Sequence, residues 1–108
     1  MLYCVRLQQT LGDPNGTTIA GQSGVSGSWS YQFSSPTAIV FDQFENMYIM
    51  DTGNDRIQRW WPGSVYGVTV AAASPMYVSG MAFDPSGNLV VADYTYHRIL
   101  LFSINCCK

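Results

Sequence analysis

Apolar residues come in short runs separated by turns rich in Gly, Pro, Asn and Asp, and helical spacing is nowhere sustained. The runs over residues 38–42, 47–50 and 57–60 recur at 80–84, 89–92 and 99–102, at one offset of 42. They are rich in β-branched and aromatic residues and bounded by turn formers, so they predict two units of three short strands. The first two runs of each unit are apolar almost throughout instead of alternating, which predicts strands covered on both faces. A further run, GVTVAA at 67–72, predicts a fourth strand for the first unit. GTTIAG at 16–21 echoes it at an offset of 51.

The repeat is legible residue by residue. FDQFENMYIMDTGNDRI (41–57) aligns without a gap on FDPSGNLVVADYTYHRI (83–99). Asp42 matches Asp84, Asn46 matches Asn88, Asp51 matches Asp93, Arg56 matches Arg98 and Ile57 matches Ile99. Met47 faces Leu89, Ile49 faces Val91, and Trp60 faces Phe102. In the second unit Pro85 suits the first corner of a type I turn, and Gly87 suits the positive φ of the bulge that follows it. Glu45 stands at the glycine position of the first unit, where positive φ strains a non-glycine residue.

These alignments divide the chain. Residues 1–21 read as the tail of a preceding unit and 22–35 as a Gly/Ser/aromatic connector. Residues 36–72 form a full unit, 78–103 a second lacking its outer strand, and 104–108 a C-terminal tail. One such unit cannot bury its own faces, so repetition is what gives each unit a neighbour to pack against.

The residues that recur resemble the NHL repeat family. An Asp closes the first strand, Gly-Asn and apolar residues follow, and then comes Asp-x-x-Asn-x-Arg-Ile before an apolar third strand. DTGNDRI, with Asp51, Asn54 and Arg56, fits that pattern fully; DYTYHRI keeps Asp93 and Arg98 but has Tyr96 at the Asn position. The resemblance covers nearly all of the chain. It implies an all-β fold, each repeat being one four-stranded antiparallel blade of a β-propeller, commonly six-bladed. On that reading the chain is about two blades of a larger ring. The expectation is a segment of a longer propeller; the alternative is several chains assembling to close one. Either way, association with further blades is expected.

Composition narrows the function. The chain has 108 residues, 47% hydrophobic and 11% charged, which suits one small globular domain. Five basic against seven acidic residues give a net charge of −2, and no basic cluster is present, which makes nucleic acid an unlikely partner. No apolar run is long enough to span a bilayer, and the first residues lack the apolar core of a signal peptide, so any leader is expected upstream. Cys4, Cys106 and Cys107 are expected to be free thiols, with a bridge from Cys4 to either of the others left open.

No catalytic constellation or nucleotide-binding loop is present, and no cofactor is implied. The Asp51–Arg56 and Asp93–Arg98 pairs recur at one place in each unit, which assigns them to the structure: the Asp to amides of the following turn, the Arg to that carboxylate or to turn carbonyls. Asp42 and Asp84 could face a shared ion such as Ca²⁺, but two units offer too few oxygens, and turn capping is the better reading. His97, opposite Asp55 in the alignment, reads as an exposed turn residue without a catalytic partner. Asn15 opens a glycosylation triplet. In the connector, Phe33 is expected to plug the space beside a unit, while Trp29 and Tyr31 are candidates for partner recognition. Of Trp60 and Trp61, one should be buried and the other nearer the surface. The function expected is a non-catalytic protein-interaction scaffold. The runner-up is a piece of a propeller enzyme whose catalytic residues lie outside this chain; RNA binding is disfavoured by the acidic balance.

Overall fold

The computed structural model describes residues 16–74 and 77–104, and the chain over them is all-β. Strands β1 (Pro36–Phe41), β2 (Met47–Asp51), β3 (Arg56–Trp60) and β4 (Val68–Ala72) form a four-stranded antiparallel sheet in sequential order. Strands β5 (Val78–Phe83), β6 (Leu89–Asp93) and β7 (Arg98–Phe102) form a second sheet of three. A single 3-10 turn, Thr52–Asn54, joins β2 to β3. The three cysteines and Asn15 lie outside the described residues, as does most of the segment read as a preceding tail.

The two sheets repeat in register. Ile39 pairs with Ile49 and Met81 with Val91; Met47 pairs with Trp60 and Leu89 with Phe102. Even the irregularity is copied, with a bulge between Pro36 and Ala38 and again between Val78 and Gly80. A slip of one residue would turn every side chain to the opposite face, so this agreement is what the apolar pairs of the alignment require.

Because side chains alternate along a strand, each sheet has two faces. One face of the first sheet carries Ala38, Val40, Tyr48, Met50 and Ile57. It packs against Met81, Phe83, Leu89, Val91, Leu100 and Phe102 of the second sheet. Tyr48 meets Phe83 edge-on across this seam, ring centroids 4.9 Å apart. The sheets come closest along β1 and β5. Burial of Met50, Ile57, Leu89 and Val91 in this core stabilises the pair by about 1.5–3 kcal/mol per side chain. The opposite face of the first sheet carries Met47, Ile49 and Trp60, and the connector covers it with Phe33, which stacks on Trp60 at 5.7 Å.

Three expectations are corrected. β2 is buried on both faces, but β1 is not: Ile39 and Phe41 are each 53% exposed, because the connector reaches only Met47, Ile49 and Trp60. Asp42 and Asp84 leave their strands, since their N–H groups turn to close the following loops. Residues 16–21 form no strand although they echo β4; Ala20 packs instead beside Phe33 and Trp60, and no described strand offers this segment a ladder.

Candidate functional site

The loops after β1 and β5 are built alike. Glu45 donates its backbone N–H to Asp42 O (3.1 Å) and Gly87 donates to Asp84 O (3.0 Å), with φ of 70° and 86° at these residues. The Asp42 carboxylate accepts the N–H groups of Phe44 and Asn46, the Asn46 amide and the Tyr48 hydroxyl. Asp84 accepts the N–H groups of Ser86 and Asn88 and the Asn88 amide. Burial pushes the Asp42 pKa up, but the Asn46 and Phe44 hydrogen bonds outweigh it and hold the carboxyl below its ordinary value. Asp84 is also held low, chiefly by the backbone and side chain of Asn88. The Tyr48 hydroxyl is pushed up by burial.

A cavity of 710 Å³ lies between these two loops, bordered by Phe41, Asp42, Tyr48, Arg59, Asp84 and Ile104. Asp42 and Asp84 both border it, yet each carboxylate is engaged by its own turn. Among the described residues no group of three or more His, Cys, Asp or Glu could hold a metal ion. Turn capping accounts for both aspartates and for Asn46 and Asn88.

The loops after β2 and β6 carry the Asp–Arg pairs, and here the two units differ. Arg56 Nε donates to Asp51 Oδ2 at 2.8 Å, and Arg98 Nε donates to Asp93 Oδ2 at 2.9 Å. Asp55 and His97 occupy the matching left-handed positions, φ 52° and 54°. Asp93 Oδ1 accepts the Thr95 N–H of its following turn, as the alignment predicts. Asp51 departs from that expectation: its Oδ1 accepts the Ser34 N–H of the connector, at 2.7 Å.

Arg56 uses its remaining nitrogens on the connector too. Nη1 donates to Ser28 O, and Nη2 donates to Trp29 O and Gln32 O, each at 3.0 Å. Asn54 adds a hydrogen bond from Nδ2 to Gly27 O at 2.9 Å, and Gly53 N–H donates to Ser34 O at 2.7 Å. A Cβ at Gly53 would lie 2.6 Å from that carbonyl oxygen, so only glycine permits the approach. The pair that reads as part of one turn is therefore a clamp on a peptide segment arriving from elsewhere in the chain. In the second unit Tyr96 replaces Asn54, Tyr77 O accepts the Tyr94 N–H of the loop at 2.9 Å, and the Arg98 side chain is 49% exposed against 14% for Arg56.

The clamped segment is a turn in itself. Gln32 N–H donates to Trp29 O at 2.9 Å, and Gly27 N–H to Phe33 O at 3.1 Å. Phe33 is buried beside Trp60 while Trp29, 70% exposed, and Tyr31 stand outward. Trp60 is buried and Trp61 is partly exposed, with Arg59 over its ring. Sequence reasoning missed Gln32, which is buried and bonded to Gln22 and to Trp29 N–H. Nothing in the local pattern marks it. Gly53, inside the recurring turn but aligned with Thr95, is the one local signal of the clamp.

No helix among the described residues is long and apolar enough to cross a membrane. No family model matches the chain, and no curated protein matches it.

Proposed function

We propose that the chain is a segment of an NHL-type β-propeller and acts as a non-catalytic scaffold for protein association. The observation that carries this reading is the head-to-tail stacking of two in-register sheets. The face of the first sheet that receives the second contains Tyr48, Met50 and Ile57. The matching face of the second sheet contains Val90, Ala92, Ile99 and Leu101, with Ile99 69% and Leu101 58% exposed. At the other end Ile39 and Phe41 are exposed where their counterparts Met81 and Phe83 pack on a neighbouring sheet. A heterologous interface of this kind leaves a donor face and an acceptor face and is completed by further units, in the same polypeptide or in other copies. Patches of exposed apolar residues with this geometry suit association, not isolation.

Light scattering coupled to size-exclusion chromatography tests the proposal. The isolated chain should elute as a concentration-dependent assembly. Contiguous coding sequence containing four more Asp-x-x-Asn-x-Arg-Ile repeats would place it within one ring. A monomer that stays monomeric at high concentration and melts sharply would refute the reading.

A further inference from the structure

Among the described residues the second sheet ends on β7, where the first sheet continues from β3 to β4. β7 copies β3: each pairs with the strand before it in the same register, Ile57 opposite Met50 and Ile99 opposite Ala92. The edge of such a sheet presents a row of N–H and C=O groups on which a further strand can form. The chain also carries a sequence that suits this edge. GTTIAG at 16–21 echoes GVTVAA at 67–72, the segment that becomes β4 on β3. Gly16, Thr17, Thr18 and Ile19 are exposed, while Ala20 and Gly21 lie beside the Phe33 ring. Two halves of a β3–β4 ladder are therefore present at opposite ends of the described chain, one as an edge strand and the other as an outer-strand sequence.

We propose that residues 16–21 of one copy of this chain add to β7 of a second copy, as the fourth strand of its second sheet. The β3–β4 pairing supplies the register. Arg56 lies opposite Ala72, Ile57 opposite Ala71, Gln58 opposite Thr69 and Arg59 opposite Val68. The offsets of 42 and 51 carry these pairs to Arg98 with Gly21, Ile99 with Ala20, Leu100 with Thr18 and Leu101 with Thr17. The step over Val70 in β4 falls on Ile19. One bond is not copied: Thr69 donates to Gln58, and Leu100 stands at the glutamine position. A strand laid on β7 also brings the rest of its chain. β4 is followed by β5, which opens the sheet stacked on its own, and residues 16–21 are followed through the connector by β1. The first sheet of the donor copy is thus led to the open face of the acceptor's second sheet, bringing its exposed Ile39 and Phe41 to Ile99 and Leu101. Main-chain bonds then fix the register of a contact that apolar burial alone would leave weakly specified. The inference rests on the stacked-unit reading above and names its partner as a second copy.

The test is hydrogen–deuterium exchange of the full chain at low and high concentration, read by mass spectrometry beside the light-scattering mass. As the chain associates, the β7 amides that face away from β6 and the amides of residues 17–21 should slow together, by roughly tenfold or more. Along a strand successive N–H groups point to opposite sides, so of Thr17 and Thr18 one must donate to β7. The double variant Thr17→Pro, Thr18→Pro removes that donor. It should weaken association roughly tenfold or more through the lost ladder bonds and abolish the concentration-dependent protection of β7. Both threonines are exposed in the single chain, so circular dichroism and melting at low concentration should stay as they are. Association with the outward β7 amides still exchanging freely, or a double variant that associates as strongly as the parent, would overturn the strand addition and leave the stacking of faces standing. A chain that stays monomeric at high concentration would overturn both.

Discussion

At the scale of single residues, identical letters in the two units do different work. Arg56 is nearly enclosed and bonds the connector in three places, while Arg98 is half exposed and, among the described residues, hydrogen-bonds Asp93 alone. Arg56→Ala should cost about 2–3 kcal/mol and Arg98→Ala about 1 kcal/mol, since solvent screens the second pair; urea unfolding of the two variants reads the difference. Gly87 offers a cleaner case. A Cβ there meets nothing within 4 Å, so only its φ of +86° opposes a side chain. Gly87→Ala should therefore destabilise by about 1 kcal/mol, with no change in the surrounding packing. The capping aspartates set the acid limit. Asp42 and Asp84 both lie below 3.8 in the folded chain, so the unfolded chain takes up their protons first. Their contribution is complete above the unfolded value and is lost as the pH falls through it towards the folded one. Thermal midpoints should drop below about pH 4, and the double variant Asp42→Asn, Asp84→Asn should flatten that fall.

At the scale of elements, a strand's burial depends on what stacks beside it, not on its own letters. Ile57 and Ile99 occupy the same register position, opposite Met50 and Ala92. Ile57 is fully buried against the second sheet, whereas Ile99 is 69% exposed. Ile57→Ala should cost about 2–5 kcal/mol through loss of packing and the cavity left behind. Ile99→Ala should change the stability of the isolated chain by less than about 0.5 kcal/mol. Differential scanning calorimetry of the pair at low concentration measures both. A large loss at Ile99 would mean that the face is already covered by another copy. The fourth strand shows the same dependence: GVTVAA becomes β4 because β3 supplies a ladder, with Thr69 donating to the buried Gln58, while its echo at 16–21 remains without one.

At the scale of the whole molecule, the stack has two unlike ends, and its behaviour in solution should follow the end that is more apolar. Ile99→Lys with Leu101→Lys places two charges on the open face of the second sheet. This pair should shift the light-scattering mass towards the monomer and leave the melting temperature of that monomer within about 2–4 °C, since neither side chain is buried in the single chain. Undiminished association would move the contact to the opposite end, around Ile39 and Phe41.

The sequence by itself determined the strands, their pairing and the caps. Seven runs of apolar residues became seven strands, and the constant offset between the two motifs became an identical register, because period-two alternation and turn chemistry are local. The capping role of Asp42 and Asp84 and the turn positions of Asn46, Gly87 and Asn88 could be assigned for the same reason, since their partners lie within a few residues, although both aspartates fall just outside the strands that the apolar runs had included. Tertiary structure alone decided what could not be read locally. Nothing in DTGNDRI says that Asp51 reaches Ser34, or that Arg56 gathers carbonyls from residues 28 to 32, since those partners lie far along the chain and are brought in by the length of the connector. Nor does the apolar letter at 99 say that it stays exposed. Burial is a property of neighbouring sheets, and only the stacking of one sheet on the other shows which faces have found a neighbour.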